Sequence, residues 1–191
     1  MFKITEIFES IQGEGFHAGL PVIFVRFAGC NMDCEFCDTD FSCKTKLSLS
    51  ELLGILSEYE NRNIVLTGGE PMLQVNGKLV SSLRAMGFTI HIETNGSFYI
   101  PFEVKRFLSW ITVSPKSPEI QQVTGNELKI VHPCYSSSQL RAFRKMEFEH
   151  FYLQPKWNDG VKKSLPKVLK KIKEKYEWKL SCQVHKFIGV E

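Results

Sequence analysis

The sequence predicts an α/β fold in which about six to seven mostly parallel strands curl into an incomplete barrel, open on one side. Three observations lead there. Strand-like and helix-like segments alternate along the chain, polar clusters sit just beyond the strand ends, and 191 residues are too few for eight full strand–helix units. No internal repeat, low-complexity tract or Pro/Gly/Ser linker interrupts the pattern, so residues 1–191 are expected to form one domain.

The elements follow in order. FKITEIFES and PVIFVRFAG are rich in β-branched and aromatic residues and read as strands. SLSELLGILSEYE starts a helix at Ser48, with Glu51 placed for a capping box. NIVLT (strand), GKLVSSLRAM (helix closed by Gly87), FTIHIET (strand), PFEVKRFL (helix opened by Pro101) and WITVS (strand) come next. NELKIV (strand), SSSQLRAFRKM (helix), HFYLQ (strand), SLPKVLKKIKEKY (helix) and WKLSCQVHKF (strand) complete the alternation.

The polar residues cluster at the strand ends as TGGEP (67–71), ETNG (93–96), SPK (114–116), LQP (153–155) and QVHK (183–186). In parallel α/β architectures, sites form where the loops at the carboxyl ends of the strands converge. One polar ending is an ordinary loop start. Five in succession predict a single site built by the whole sheet.

Directly after the strand PVIFVRFAG comes CNMDCEFC, with Cys30, Cys34 and Cys37 in a Cys-x3-Cys-x2-Cys spacing. A structural zinc site wants four closed ligands, and the nearest fourth thiol, Cys43, lies six residues past Cys37. Thiolates also hold iron–sulfur clusters. A cubane held by only three leaves one iron open to an exogenous ligand, which suits this loop better.

With Phe36 before the last cysteine, the loop resembles the cluster motif of the radical S-adenosylmethionine superfamily, and Gly68-Gly69-Glu70-Pro71 resembles the superfamily's motif for the cofactor's amino group. FESIQGEG (8–15), CDT (37–39), TGGEP, ETNG, SPK, LQP and QVHK together resemble the 7-carboxy-7-deazaguanine synthase family, along nearly the whole chain. The resemblance implies a partial TIM-like barrel, one 4Fe-4S cluster per chain, S-adenosyl-L-methionine, Mg²⁺ and a homodimer. It implies conversion of 6-carboxy-5,6,7,8-tetrahydropterin to 7-carboxy-7-deazaguanine with loss of ammonia, the radical being carried by the cofactor and no side chain being assigned as catalytic.

Carried over residue by residue, the resemblance gives the cluster to Cys30, Cys34 and Cys37, and Mg²⁺ to Thr39. A lone hydroxyl is a poor magnesium site and the ion needs further oxygens, so little Mg²⁺ binding is expected without substrate. The cofactor falls to Phe36, Asp38, Gly69, Glu70, Ser114, Pro115, Lys116 and Gln154; past Gln154 the chain reads PKWNDG, and no adenine contact is assigned there. The pterin falls to Ile11, Gln12, Gly13, Glu14, Arg26, Thr67, Glu93, Asn95 and His185. Each has a plainer reading. QGEG is also an ordinary turn, Arg26 a structural ion pair, and His185 a surface or core histidine. Against these, an arginine fork suits the substrate's carboxylate. Glu93 and Asn95 could face either molecule. Lys129 either points into the barrel towards a carboxylate such as Glu93 or is solvated at an open edge.

Cys43, Cys134 and Cys182 lack ligand spacing and read as ordinary small residues. The lysine-rich run 161–179 reads as a solvated helix face, with a docking surface for a flavodoxin- or ferredoxin-type electron donor as the alternative. A net charge of +3 gives no reason to expect nucleic acid. The first residues have no uninterrupted apolar core, and the longest apolar run is broken by Arg26, so no membrane segment and a cytoplasmic location are expected. Two other readings stay open: a glycyl-radical activating enzyme of the same superfamily, and a non-catalytic zinc module using Cys43.

Overall fold

The computed structural model describes residues 1–35, 37, 39–157, 161–175 and 177–190. The chain begins with β1 (Phe2–Ile11), β2 (Pro21–Phe27), β3 (Thr45–Leu47), α1 (Leu49–Ser57) and β4 (Asn63–Gly68). After a 3₁₀ turn (Pro71–Leu73) follow α2 (Gly77–Ala85), β5 (Thr89–Thr94), α3 (Phe102–Lys105) and β6 (Trp110–Val113). The last part comprises β7 (Thr124–His132), α4 (Ser137–Phe143), β8 (Glu147–Pro155), α5 (Val161–Lys175), β9 (Lys179–Leu180) and α6 (Val184–Ile188).

Among the described residues the strands form one nine-stranded sheet in the order β3-β1-β2-β4-β5-β6-β7-β8-β9. From β2 to β9 every pairing is parallel, while β1 pairs antiparallel with both β2 and β3. The segment 12–20 explains that reversal, being shorter than the dozen or more residues a parallel crossover needs. The sheet ends at β3 and β9 without closing on itself, which is the partial TIM-like barrel expected from the sequence.

Period-two alternation sorts the strand residues between two faces. Outward, Ile23, Val25, Phe27, Ile64, Leu66, Ile90, Ile92, Val113, Leu128 and Ile130 share one core with Leu52, Leu56, Leu79, Leu83, Leu140, Phe143 and Val168 of the helices. Leu83 is fully buried there, and truncating such a side chain to alanine costs about 2–5 kcal/mol. Inward, Val22, Phe24 and Val65 form a smaller apolar group towards the amino ends of the strands. The capping box that starts α1 forms as predicted, with Ser48 accepting from Glu51 N–H and Glu51 accepting from Ser48 N–H.

Phe16 and His17 of the segment 12–20 pack against the amino-end half of the sheet. Phe16 stacks on His150 and Trp110 at ring separations of 4.4 and 5.0 Å, and His17 lies 4.7 Å from His91. Burial, with His17 beside it, holds His91 down at about 4, so it is neutral at physiological pH.

Two segments differ from expectation. WKLSCQVHKF is not one strand: it pairs only over Lys179–Leu180 and then turns into the short helix α6, so His185 sits on a helix. Here the backbone N–H of Val184 donates to the carbonyl of Gly13 at 2.8 Å, a bond that pulls the chain off the sheet edge. β3 is an added edge strand, formed where Lys46 and Leu47 pair with Lys3 and Phe2.

Candidate active site

At the carboxyl ends of the strands lies a cavity of about 640 Å³, within the range of small-molecule sites. One end is walled by thiols, the other by an ionic network.

The thiol end is built by contact between two loops. β2 runs into Gly29, whose φ of 89° turns the chain towards Cys30. A backbone bond from Cys37 N–H to the carbonyl of Cys34 (2.9 Å) closes the far side, and all three thiols line the cavity. The TGGEP loop presses on this segment, with Gly69 N–H donating to Phe27 (3.2 Å) and Glu70 N–H to Gly29 (3.0 Å). A Cβ on Gly68 would overlap the backbone of Phe27, and one on Gly69 the carbonyl of Gly29. Both glycines are therefore dictated by close approach of two main chains.

The Glu70 side chain is fully buried and is not among the residues lining the cavity. It accepts from Met72 N–H (2.9 Å), Thr94 Oγ1 (2.8 Å) and Asn95 N–H (2.7 Å), bracing the loop against β5. Burial pushes its pKa up against the pull of those bonds. Asn95 lines the cavity and also reaches the cysteine loop, its Nδ2 donating to Asn31 Oδ1 at 3.0 Å. Lys116 Nζ donates to Ser114 Oγ at 2.9 Å and both line the cavity, whereas Pro115 lies behind them, its carbonyl held by Tyr135 Oη at 3.0 Å. Gln154 lines the same wall and accepts from Ser181 Oγ at 2.7 Å. Phe36 and Asp38 lie outside the described residues.

Cys30, Cys34 and Cys37 all line one cavity and are the residue type that holds iron–sulfur clusters, although the three side chains are not drawn together around one point. Burial pushes the Cys34 thiol pKa up despite nearby Lys116. Among the described residues no group of three or more His, Cys, Asp or Glu side chains is set to hold a metal ion. Cys43 is exposed and points to the carbonyl of Thr45 at 3.3 Å.

The ionic end gathers the QGEG loop, β4, β5 and β7. Lys129 is buried and its Nζ lies 2.5 Å from Glu14 Oε2 and 3.8 Å from Glu93 Oε1, so it points into the barrel and is not a solvated edge charge. Glu93 also accepts from Gln12 Nε2 (3.0 Å) and Thr67 Oγ1 (3.3 Å). Burial alone would raise the Glu14 carboxyl, but Lys129 and hydrogen bonds from Lys129 and Gln183 hold it at about 2. Burial likewise opposes the Lys129 ammonium, and the surrounding Glu14, Glu93 and Glu127 reverse that and push its pKa up.

Ile11, Gly13, Arg26, Thr39 and His185 line the cavity too. Arg26 Nε is engaged by Glu6, its cross-strand neighbour on β1, so the structural ion pair and a place at the cavity coexist. Gly13 is glycine because a Cβ there would overlap the His185 ring. Sequence reasoning left out Glu127 and Thr112 and kept Lys129 open. The period of β7 carried the signal: Glu127, Lys129 and Val131 alternate with Leu128 and Ile130, which join the outer core.

The model of the Radical SAM superfamily matches residues 24–146. The chain is 37% identical to the 7-carboxy-7-deazaguanine synthase of Bacteroides thetaiotaomicron over 191 residues, covering 100% of this chain and 99% of that one. It is 40% identical to the synthase of the same name from Burkholderia multivorans, covering 99% of each chain. The chain belongs to the 7-carboxy-7-deazaguanine synthase family. The crystal structure of QueE from Escherichia coli superposes with a TM-score of 0.71 at 26% identity, over 96% of this chain and 94% of that one. With family membership come a 4Fe-4S cluster and S-adenosylmethionine, and the glycyl-radical activase and zinc-module readings fall away.

Proposed function

We propose that this chain is a carbon–nitrogen lyase that converts 6-carboxy-5,6,7,8-tetrahydropterin to 7-carboxy-7-deazaguanine with loss of ammonia, a ring contraction on the route to 7-deazapurines such as queuosine. The observation that carries the proposal is full-length similarity to proteins named for that product. The cavity supports it by joining a thiol wall to a polar wall within one small-molecule volume. Cluster and S-adenosylmethionine together supply one-electron chemistry able to break an unactivated C–H bond, which side chains alone cannot do.

The chain's own residues bind, orient and exclude water. Cys30, Cys34 and Cys37 would hold the cluster. Gly69, Ser114, Lys116 and Gln154 receive the cofactor, with Glu70 and Pro115 shaping the loops that do so. Gln12, Glu14, Thr67 and Glu93 meet the donors and acceptors on the pterin's edge. Arg26 and His185 take its carboxylate, while Ile11, Gly13 and Asn95 set the shape of the wall. Thr39 would offer one oxygen to Mg²⁺, an ion that needs further oxygen donors. Phe36 and Asp38 keep their expected places beside the cofactor on resemblance alone.

The whole chain acts as one domain and as a homodimer, fed by a flavodoxin- or ferredoxin-type donor. Six free cysteines support a reducing, cytoplasmic setting, and among the described residues no helix is long and apolar enough to cross a membrane. The test is anaerobic reconstitution with the carboxytetrahydropterin, S-adenosylmethionine, Mg²⁺ and a reductant. Formation of the deazaguanine with equimolar ammonia is expected; cofactor cleavage without that product would refute the assignment.

A further inference from the structure

Glu127 is one of the carboxylates around Lys129 but does not line the main cavity, and it is buried directly beneath the QGEG loop. Three consecutive amides of that loop are each held by a different partner. Glu14 N–H donates to Gln12 Oε1 at 3.1 Å, Gly15 N–H to Ser181 Oγ at 3.1 Å, and Phe16 N–H to Glu127 Oε2 at 2.9 Å. Gly15 has a φ of 67°, and a Cβ built on it would overlap the Glu127 carboxylate, so the loop passes in contact over that group. Two residues further along the same face of β7, Lys129 grips the side chain of Glu14 at 2.5 Å. β7 thus touches the loop twice: through Glu127 on its backbone and through Lys129 on its carboxylate. Glu127 itself does not line the main cavity, so it acts on a ligand only through the loop.

We propose that Glu127 is a positioning residue for substrate recognition: with Lys129 it makes a two-point clamp that fixes where Gln12 and Glu14 present their polar groups to the pterin. The clamp fixes the loop against rotation about its single ion pair, because backbone and side chain are held by one rigid strand. It bears on the pterin side alone, since the thiol wall and the TGGEP loop are held by other bonds. The inference rests on the pterin-converting function proposed above.

Steady-state kinetics of the reconstituted enzyme test it, read together with melting temperature. Glu127→Ala removes the acceptor and is expected to raise KM for the pterin about tenfold or more. For the same variant kcat stays within about twofold and KM for S-adenosylmethionine is unchanged, the pattern of lost substrate positioning. Glu127→Gln keeps an oxygen for Phe16 N–H and is expected to stay within about threefold of the original KM. An unchanged pterin KM in Glu127→Ala overturns the proposal, as does a loss confined to kcat or a glutamine variant as impaired as the alanine one. Should Glu127→Ala fail to fold, Gly15→Ala decides, because it pushes the loop off an intact Glu127: a raised pterin KM in a normally melting protein supports the clamp, and an unchanged one overturns it. An unsubstituted enzyme that neither binds nor converts the pterin overturns the functional reading and this inference together; normal conversion with an unaffected Glu127→Ala overturns the inference alone.

Discussion

Replacing Lys129 by methionine removes one ammonium from among three carboxylates while nearly preserving side-chain volume. In the native protein that ammonium lies 2.5 Å from Glu14 and 3.8 Å from Glu93, with only 5% of its surface exposed. Breaking a buried pair from one side leaves an uncompensated charge and costs about 3–5 kcal/mol. The native Glu14 carboxyl gives an independent check on scale: its fall from 4.5 to about 2 corresponds to about 3 kcal/mol at neutral pH, to order of magnitude. A depressed carboxyl contributes stability above its unfolded value that is lost only as pH falls from 4.5 towards 2, so the native contribution is constant between pH 8 and 5.5. In Lys129→Met the sign inverts. Burial, then opposed only by the Gln183 hydrogen bond and nearby His185, raises the Glu14 carboxyl above its unfolded value, and the variant regains stability as it takes up a proton. Urea denaturation under anaerobic conditions at pH 8 and pH 5.5 reads this directly. The deficit should be about 3–5 kcal/mol at the higher pH, with Tm lowered by roughly 6–20 °C, and smaller at the lower pH. A deficit below about 1 kcal/mol, or one independent of pH, would refute the reasoning, since a solvated lysine behaves that way.

Three further outcomes are expected. Cys43→Ala should keep the brown colour and about four irons per chain, while alanine at Cys30, Cys34 or Cys37 should abolish them, as iron analysis after anaerobic purification will show. Gly69→Ala should lower S-adenosylmethionine cleavage by more than about tenfold and stability by about 1–3 kcal/mol, because its Cβ meets the Gly29 carbonyl, which cannot move without shifting the cysteine loop; near-normal cleavage would show that the two loops are not in tight contact. Calorimetry should find little Mg²⁺ binding to the protein alone and clear binding once the pterin is present, and tight binding without substrate would count against a site that depends on substrate oxygens.

The parallel core was legible because its two signals are local and repeated. Strands such as Asn63–Gly68 are buried on both faces, and four of the five polar endings begin where a strand's carboxyl end reaches the cavity, QVHK lying on α6 instead. The cysteine loop was legible for the same reason, its spacing being a property of eight consecutive residues. What escaped were elements defined by a distant partner. β3 has no pattern of its own and exists because β1 offers an edge to Lys46 and Leu47. The terminal segment alternates convincingly enough to suggest a strand, but Ser181 is claimed by Gln154 and Gly15, and Val184 by Gly13, so it leaves the sheet after two residues. Gly189, with a φ of 72° at the end of α6, was the one local hint of a helix there.

The same distinction explains the glycines and charges of the site. Two glycines in QGEG read locally as a turn, yet the structure gives each a different distant reason: Gly13 makes room for His185 and Gly15 for Glu127. A glycine required by contact looks identical in sequence to one required by a turn, and only the residue it meets tells them apart. Lys129 is the converse case. A lysine amid Leu128, Ile130 and Val131 is costly to bury alone, so its placement inward demands carboxylates from other elements, and Glu14 and Glu93 supply them from a loop and a strand far away in the chain. The charge in the strand was visible from the start; its meaning lay in two acids that only the fold brings to it.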